Sequence, residues 1–270
     1  MSVHSMSGRE HRAVTRAAGW LRGTKPVNLV VAAVAVTTVV AGTVAASAES
    51  PLGVFSKQPL YAGYVAQGPY FKSISGQFTV PSFTCQATSR KRDNDAFFQI
   101  GLGSKSFVGE EVYAGGYCSG LTPTYEAGYA IGGTTAPLAV NVGDTLAGSV
   151  SYDSTTKQYT FSLQDLTAGT SLTATKSCVR HSFCARTGAM VLAGNDSDAG
   201  FAPKLTNFTS VNFGNIAVTD QGGTTSGLTS TKWTTVKYIE TTQFRGGTTV
   251  ATPSKLSQGA STFTATWVKP

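Results

Sequence analysis

Two adjacent carboxylates, Glu110 and Glu111, stand in the strand-like stretch "GEEVYAG". Because side chains alternate along a strand, Glu111 shares a face with Tyr113, and Glu110 faces the opposite way with Val112. A carboxylate held beside a reacting bond can act as a general base and then as a general acid. Glu111 is therefore a candidate for acid–base chemistry, although paired charges in a strand are equally typical of a solvated surface.

A second strand-like stretch, "CARTGAMVLAGND" at 184–196, carries no carboxylate before Asp196. Regular alternation places Met190, Leu192 and Gly194 on one face, and a shift of one residue would exchange the two faces. This stretch therefore offers no acid or base before its end. Met190 by itself indicates ordinary packing more often than a specific contact.

Other catalytic classes lack their residues. His4 and His11 lie in the basic N-terminal segment, which leaves His181 between two cysteines in "CVRHSFC". One histidine without a C-x-x-C pair does not predict a zinc site, and no G-x-S-x-G elbow supports a Ser-His-Asp triad. We predict neither a metal nor a cofactor.

The N-terminal segment has the pattern of an export signal. Five basic residues precede an uncharged run at 26–48, which closes with Ala46-Ser47-Ala48 in the spacing that signal peptidase accepts. The apolar run is near the lower limit for a membrane span, so an uncleaved anchor is the alternative. We predict a signal peptide over 1–48, cleaved near Ala48, and a secreted protein without membrane attachment.

Removal of 48 of the 270 residues leaves 222, enough for one domain with its own core. Five basic residues and Glu10 leave with the signal, so the formal net charge falls from +7 to +3. Nucleic-acid binding loses its main support, because the cluster "RKR" at 90–92 sits among polar residues typical of a solvated loop. We expect a monomer with a linker at 49–60 and one domain at 61–270.

Short alternating runs recur after the signal, separated by Gly, Ser, Thr and Asn clusters. Examples are "AFFQIGLG", "QYTFSLQDL" and "STFTATWV". No window shows a sustained 3.6-residue apolar period, so few helices are expected. The pattern predicts an all-β domain, an antiparallel sandwich or barrel.

Four cysteines in an exported chain predict two disulfides, with three possible connectivities. Cys178 and Cys184 are close enough to close their own short loop, which favours a second bridge between Cys85 and Cys118. That second bridge would stabilise the fold mainly by restricting the unfolded chain.

In their order along the chain, several stretches resemble the glutamic peptidase family, also called eqolisin or peptidase A4, and especially its bacterial secreted members. The resemblance covers about 61–267, and no single stretch decides it. Its main stretches are "YAGYV" (61–65), "GQFTVPSFTC" (76–85), "CSGLTPTYEAGY" (118–129), "VGDTLAGSVSYD" (142–153), "LTNFTSVNF" (205–213) and "TPSKLSQGASTFTATW" (252–267).

The resemblance implies an antiparallel two-sheet β-sandwich of the concanavalin-like, jelly-roll type, with a concave face that binds extended polypeptide. It also implies hydrolysis at acid pH by a Glu and Gln pair. The carboxylate acts as base and then acid, and the amide stabilises the oxyanion. The positions expected in the groove are Gln99, Tyr113, Tyr125, Tyr129 and Gly194.

The catalytic pair of the family does not carry over onto this chain. Counting back seven residues from Cys118, the position of the family Gln falls on Glu111, and the position of the family Glu falls on Met190. A second placement makes Gln99, in "FFQIGL", the family Gln, but it disrupts the spacing to Cys118. Position 190 is Met under both placements, so the family acid is missing in either case.

Three functions remain open from the sequence. The first is a secreted family member that is catalytically impaired or inactive and binds extended polypeptide in its groove. The second is an active acid endopeptidase that uses Glu111 in a rearranged site. The third is a glycan-binding sandwich, because this architecture also suits lectins.

Overall fold

The computed structural model describes residues 55–58, 60–68, 70–87, 89, 94–104, 107–131, 134–178, 186–195, 204–243 and 246–268. The predicted signal segment, the "RKR" cluster, His181 and Cys184 lie outside these residues. The described residues all fall in one compact unit, Ala48–Pro270. Within them every regular element is a β-strand, and no helix is long and apolar enough to cross a membrane.

Seventeen strands follow one another along the chain, as the alternating runs predict. In order they are β1 (Phe55–Gln58), β2 (Tyr61–Gln67), β3 (Phe71–Thr79), β4 (Asn94–Ser104), β5 (Phe107–Ser119), β6 (Thr122–Ile131), β7 (Thr134–Leu138), β8 (Thr145–Asp153), β9 (Gln158–Asp165), β10 (Ser171–Ser177), β11 (Gly188–Gly194), β12 (Lys204–Leu205), β13 (Ser210–Asp220), β14 (Thr225–Ser226), β15 (Thr234–Gln243), β16 (Gly246–Pro253) and β17 (Phe263–Trp267).

The long strands pair side by side in one continuous order. This order is β7, β6, β5, β4, β11, β2, β15, β16, β17, β13, β3, β8, β9 and β10, antiparallel throughout. Two short strands pair in parallel, β1 with β15 and β12 with β4. β1 therefore places residues of the segment assigned to the linker within the sheet.

The strip of strands folds back so that its two halves pack face to face. Phe98 of β4 contacts Phe78 of β3 with ring centroids 6.1 Å apart, and Tyr129 of β6 stacks on Phe161 of β9 at 5.0 Å. These rings belong to one large buried apolar cluster. The predicted all-β, antiparallel two-sheet sandwich is confirmed. We call the half from β7 to β15 the first layer and the half from β17 to β10 the second layer.

An interior strand of the first layer, β11, is buried along its whole length. Ala189, Val191 and Ala193 face the main core, whereas Met190 and Leu192 belong to a separate apolar cluster on the other side. A strand buried on both faces reads as a continuous apolar run, which explains why "AMVLAG" shows no polar alternation.

One predicted disulfide joins the two ends of the β4–β5 region. Cys85 and Cys118 are bonded, with Cα atoms 5.5 Å apart and a sequence separation of 33 residues. Cys178 is also disulfide-bonded, and Cys184 lies outside the described residues. Closing a loop of this length stabilises the fold by roughly 3–4 kcal/mol, mainly by restricting the unfolded chain.

Candidate functional site on the first layer

Strand register brings the two predicted positions of the catalytic pair into one line. Met190 of β11 pairs with Gly101 of β4, and Gly101 pairs with Glu111 of β5. Met190 and Glu111 therefore lie on the same face, two strand spacings or roughly 10 Å apart, with a glycine between them. We call this surface of the first layer the site face. Its principal residues are Gln99, Glu111, Tyr113, Met190 and Leu192.

Glu111 has an amide partner on the neighbouring strand. The Nε2 atom of Gln99 donates a hydrogen bond of 3.2 Å to Oε1 of Glu111. Gln99 is 8% exposed, and Glu111 is half-buried. Gln99 pairs with Tyr113, which puts Gln99 diagonally opposite Glu111 on the same face. A carboxylate and an amide are thus adjacent on this surface. Glu111 lies on the line through Met190, and Gln99 lies one residue pair further along the strands.

The position of Met190 is apolar and closed. Met190 is 2% exposed and packs with Val65 and Leu192, while Tyr61 and Tyr238 cover the edge of this small cluster. An ionised side chain placed here would lose its hydration without gaining a charged partner. The cluster therefore explains how Met190 is accommodated, and it offers no proton donor or acceptor from the methionine.

Two of the expected groove residues lie on the wrong face. Tyr125 and Tyr129 face the main core between the layers, because β5 pairs Glu111 with Ala130 and thereby puts the odd-numbered residues of β6 on the other side. The Tyr125 hydroxyl accepts a hydrogen bond of 2.8 Å from the backbone N–H of Phe83, and burial raises the pKa of Tyr125. The groove expectation for both tyrosines is corrected.

Besides Gln99, two of the expected groove residues lie on the site face, with limited access. Tyr113 is mostly buried and meets the ring of Phe97 edge-on at 5.8 Å. Gly194 ends β11, and a Cβ there would collide with the carbonyl oxygen of Leu60. Gly194 therefore permits close approach of the chain and is not an open groove position.

The sequence matches the family model described as the Peptidase A4 family over residues 59–267. The chain belongs to the peptidase A4 family. This match spans nearly all of the chain that follows the predicted signal segment. No curated protein matches the chain.

Solved structures of peptidase A4 enzymes share the fold. Scytalido-glutamic peptidase with a peptide-based transition state analog has 20% identity, covers 78% of this chain and 98% of its own, and gives a TM-score of 0.58. SCP-B of the eqolisin family, in complex with the tripeptide Ala-Ile-His, has the same identity and coverage and a TM-score of 0.57. Aspergilloglutamic peptidase from Aspergillus niger has 22% identity, covers 65% and 100%, and gives 0.51.

In this peptidase A4 member, the two adjacent glutamates have opposite environments. Glu110 is completely buried on the core side of β5, and neither of its carboxylate oxygens has a hydrogen-bond partner among the described residues. Burial raises the pKa of Glu110 to about 8. Glu110 is neither a solvated charge nor a groove residue, because alternation turns it away from Glu111.

A second buried acid group was missed from the sequence. Glu240 of β15 is completely buried and accepts a hydrogen bond of 3.2 Å from Nδ2 of Asn195. Burial first, and then the charge of Asp95, raises the pKa of Glu240 well above its ordinary value. Alternation along β4 puts Asp95 on the same face as Gln99, a signal that the sequence already contained.

Among the residues that the structure describes, no group of three His, Cys, Asp or Glu side chains could hold a metal ion. The polar groups of the site face include the Gln99–Glu111 pair.

Proposed function

We propose that this peptidase A4 member is exported, binds extended polypeptide along the site face, and is impaired in the hydrolysis that the family name implies. The observation that carries the proposal is the place of Met190. It lies in line with Glu111, inside an apolar cluster, at the position where the resemblance puts the catalytic Glu.

Polypeptide binding is supported by the mixed character of the site face. A half-buried carboxylate and its amide partner lie on the same face as the partly buried rings of Tyr61 and Tyr238, so the surface offers both polar groups and apolar contacts. The solved relatives carry a peptide-based analog and a tripeptide. Export is supported by the basic segment, the apolar run and the Ala46-Ser47-Ala48 site.

Impaired hydrolysis follows from the size of the missing contributions. General acid–base assistance contributes about 10²–10⁴-fold, and one oxyanion donor about 10²–10³-fold. A site with Met190 in place of the acid loses the first contribution at that position. With Glu111 at the position of the family Gln, a carboxyl group replaces the amide that would stabilise the oxyanion, and this changes the second contribution.

A second candidate function is acid hydrolysis by a rearranged pair, and the 3.2 Å hydrogen bond between Gln99 and Glu111 favours it. The Glu111 carboxylate would take a proton from a water molecule as the water oxygen bonds to the peptide carbonyl carbon. The Gln99 amide would donate a hydrogen bond to the oxyanion. Protonated Glu111 would then pass its proton to the leaving amine as the C–N bond breaks.

A binding experiment tests the primary proposal. Fluorescein-labelled peptides from unfolded casein are titrated with the full chain, and anisotropy reports binding. Tyr113→Ala should weaken binding severalfold, whereas Gln164→Ala, on the exposed face of the second layer, should leave it unchanged. Equal binding by both variants, or no binding by the unmodified chain, contradicts the proposal.

A further inference from the structure

The outer face of the second layer is rich in hydroxyl side chains. One row of paired positions crosses six strands and holds a hydroxyl side chain at every position. The row runs through Thr225, Thr219, Ser73, Ser151, Thr160 and Thr175. A parallel row holds Ser75, Ser149, Ser162 and Thr173. Neighbouring members of a row are roughly 4.8 Å apart, so the face is a regular array of neutral donors and acceptors.

An open cleft of about 400 Å³ lies at one end of this face. Strands β3, β13 and β17 and the 254–262 loop form it, and its volume is in the range of small-molecule sites. The buried rings of Phe213 and Phe263, stacked at 4.9 Å, underlie its floor. Its polar lining consists of hydroxyl and amide side chains, and none of the described residues that line it is ionisable.

Two amide side chains of the cleft are held by neighbours through their oxygen atoms. The Oε1 atom of Gln77 accepts a hydrogen bond of 2.7 Å from Asn215, and Oδ1 of Asn212 accepts one of 2.6 Å from the Thr264 hydroxyl. The NH₂ groups of Gln77 and Asn212 donate no hydrogen bond within the described part of the chain. Both amides are therefore oriented in advance, with donors left for a ligand.

The wall formed by the 254–262 loop has an unusual backbone. Gln258 has φ 51° and Ala260 has φ 63°, both in the left-handed region that side chains disfavour. The carbonyl oxygen of Ala260 accepts a hydrogen bond from the backbone of Leu228, and the carbonyl of Gln258 accepts one from the Ser261 hydroxyl. Such a conformation persists where the surroundings fix it, so the loop holds Gln258 in place at the cleft.

We propose that this cleft binds a neutral oligosaccharide. Without charged side chains it cannot pair with an ionic ligand, whereas its hydroxyl and amide groups match the hydroxyls of a sugar. A polypeptide could not add as a strand here, because β3, β13 and β17 are each paired on both sides. The cleft lies on the other layer from the site face, so this binding is separate from the proposed polypeptide binding.

Calorimetric titration of the full chain with cellohexaose, xylohexaose, mannohexaose and maltohexaose tests the proposal. We expect at least one to bind with a Kd of about 1 mM or tighter. The double change Gln77→Ala and Asn212→Ala should weaken that binding about tenfold or more. Gln164→Ala is the matched control, because Gln164 lies in the same row as Gln77 but outside the cleft.

A conservative variant guards against loss of folding. Gln77→Glu keeps the side-chain size, removes the NH₂ donor and should also weaken oligosaccharide binding. Tyr113→Ala should leave oligosaccharide binding unchanged, which separates this proposal from the polypeptide one. No binding by any of the four sugars, equal binding by the Gln77 and Gln164 variants, or loss of casein-peptide binding in the cleft variant would overturn the assignment.

Discussion

The side-chain amide of Gln99 donates a 3.2 Å hydrogen bond to the carboxylate of Glu111, across the β4–β5 pairing. Sequence comparison with the family leaves Glu111 without an amide partner, because Glu111 itself occupies the position of the family Gln. The pairing of β4 with β5 supplies an amide partner from a different position, Gln99.

Restoring the family pair should restore hydrolysis. In the double variant Glu111→Gln and Met190→Glu, the amide and the carboxylate return to the positions that the resemblance gives them, in line across Gly101. Because the apolar cluster would raise the pKa of a carboxyl group introduced at position 190, we expect the gain at pH values above that raised pKa and not in strong acid. There, cleavage of unfolded casein should rise at least about 10²-fold over the unmodified chain. The control is the double variant Glu111→Gln and Leu192→Glu. It places the carboxyl group in the same apolar cluster, but one residue pair away from position 190. Equal rates in both variants would contradict the placement of Met190.

The fold should be more stable in mild acid than in mild alkali because of Glu110. Its pKa is raised to about 8 in the folded chain from about 4.5, so the folded state holds a proton that the unfolded state has released between these values. The stabilising contribution of the protonated Glu110 carboxyl is therefore fully present below about pH 4.5. It is lost as the pH rises towards 8, by a few kcal/mol. Urea unfolding at pH 5 and pH 8 measures the loss. Glu110→Gln should reduce it, and the buried Glu240, whose pKa is also raised, contributes the remainder.

Tyr159 on β9 interacts with Glu110, and it titrates above that window. Burial and then the charge of Glu110 raise the pKa of Tyr159 on β9. Nearby, the guanidinium of Arg186 lies over the ring of Tyr152 at 3.9 Å. Glu126→Gln on β6 is the control and should keep the unmodified pH dependence. A variant at Glu110 that loses stability with pH as steeply as the unmodified chain would show that another group is responsible.

The Cys85–Cys118 bridge should contribute measurably to thermal stability. Replacing both cysteines by serine removes a constraint on a 33-residue separation, so we expect a loss of roughly 3–4 kcal/mol. For a domain of this size that corresponds to a fall in Tm of roughly 10 °C. Calorimetry of the two proteins at one pH measures it, and an unchanged Tm would contradict the entropic account.

Tyr129 should matter for the core and not for ligand binding. Its ring stacks on Phe161 between the layers, so Tyr129→Ala removes a buried aromatic ring and should destabilise the fold by roughly 3–5 kcal/mol. At temperatures below its reduced Tm, the variant should bind casein peptides with the same affinity as the unmodified chain. Weakened binding by a fully folded Tyr129→Ala variant would return this residue to the groove.

Alternation in the sequence predicted which side chains share a strand face, and it did so correctly for Glu111 with Tyr113 and for Met190 with Leu192. It could not predict which face meets the core, because that depends on how the two layers stack. Tyr125 and Tyr129 were misplaced for this reason: their face follows from the β5–β6 register. The burial of Glu110 was missed because a charged pair in a strand usually indicates solvent.

Contacts between strands that are distant in sequence were beyond the sequence patterns. The Gln99–Glu111 hydrogen bond depends on the β4–β5 register, and the line from Met190 to Glu111 depends on β11 pairing with β4. The family resemblance predicted the sandwich. Where the family's catalytic residues are replaced, however, it carries no information on how the replacements contact each other. The neutral cleft on the second layer involves none of the predicted site residues.

The most direct test of impaired hydrolysis is the cleavage of unfolded casein by the full chain from pH 2 to pH 7, with Glu111→Ala and Gln99→Ala measured alongside. We predict no cleavage by the unmodified chain above the rate of the two variants at any pH. Cleavage at acid pH that both variants abolish would contradict this account and would identify Gln99 and Glu111 as a working catalytic pair.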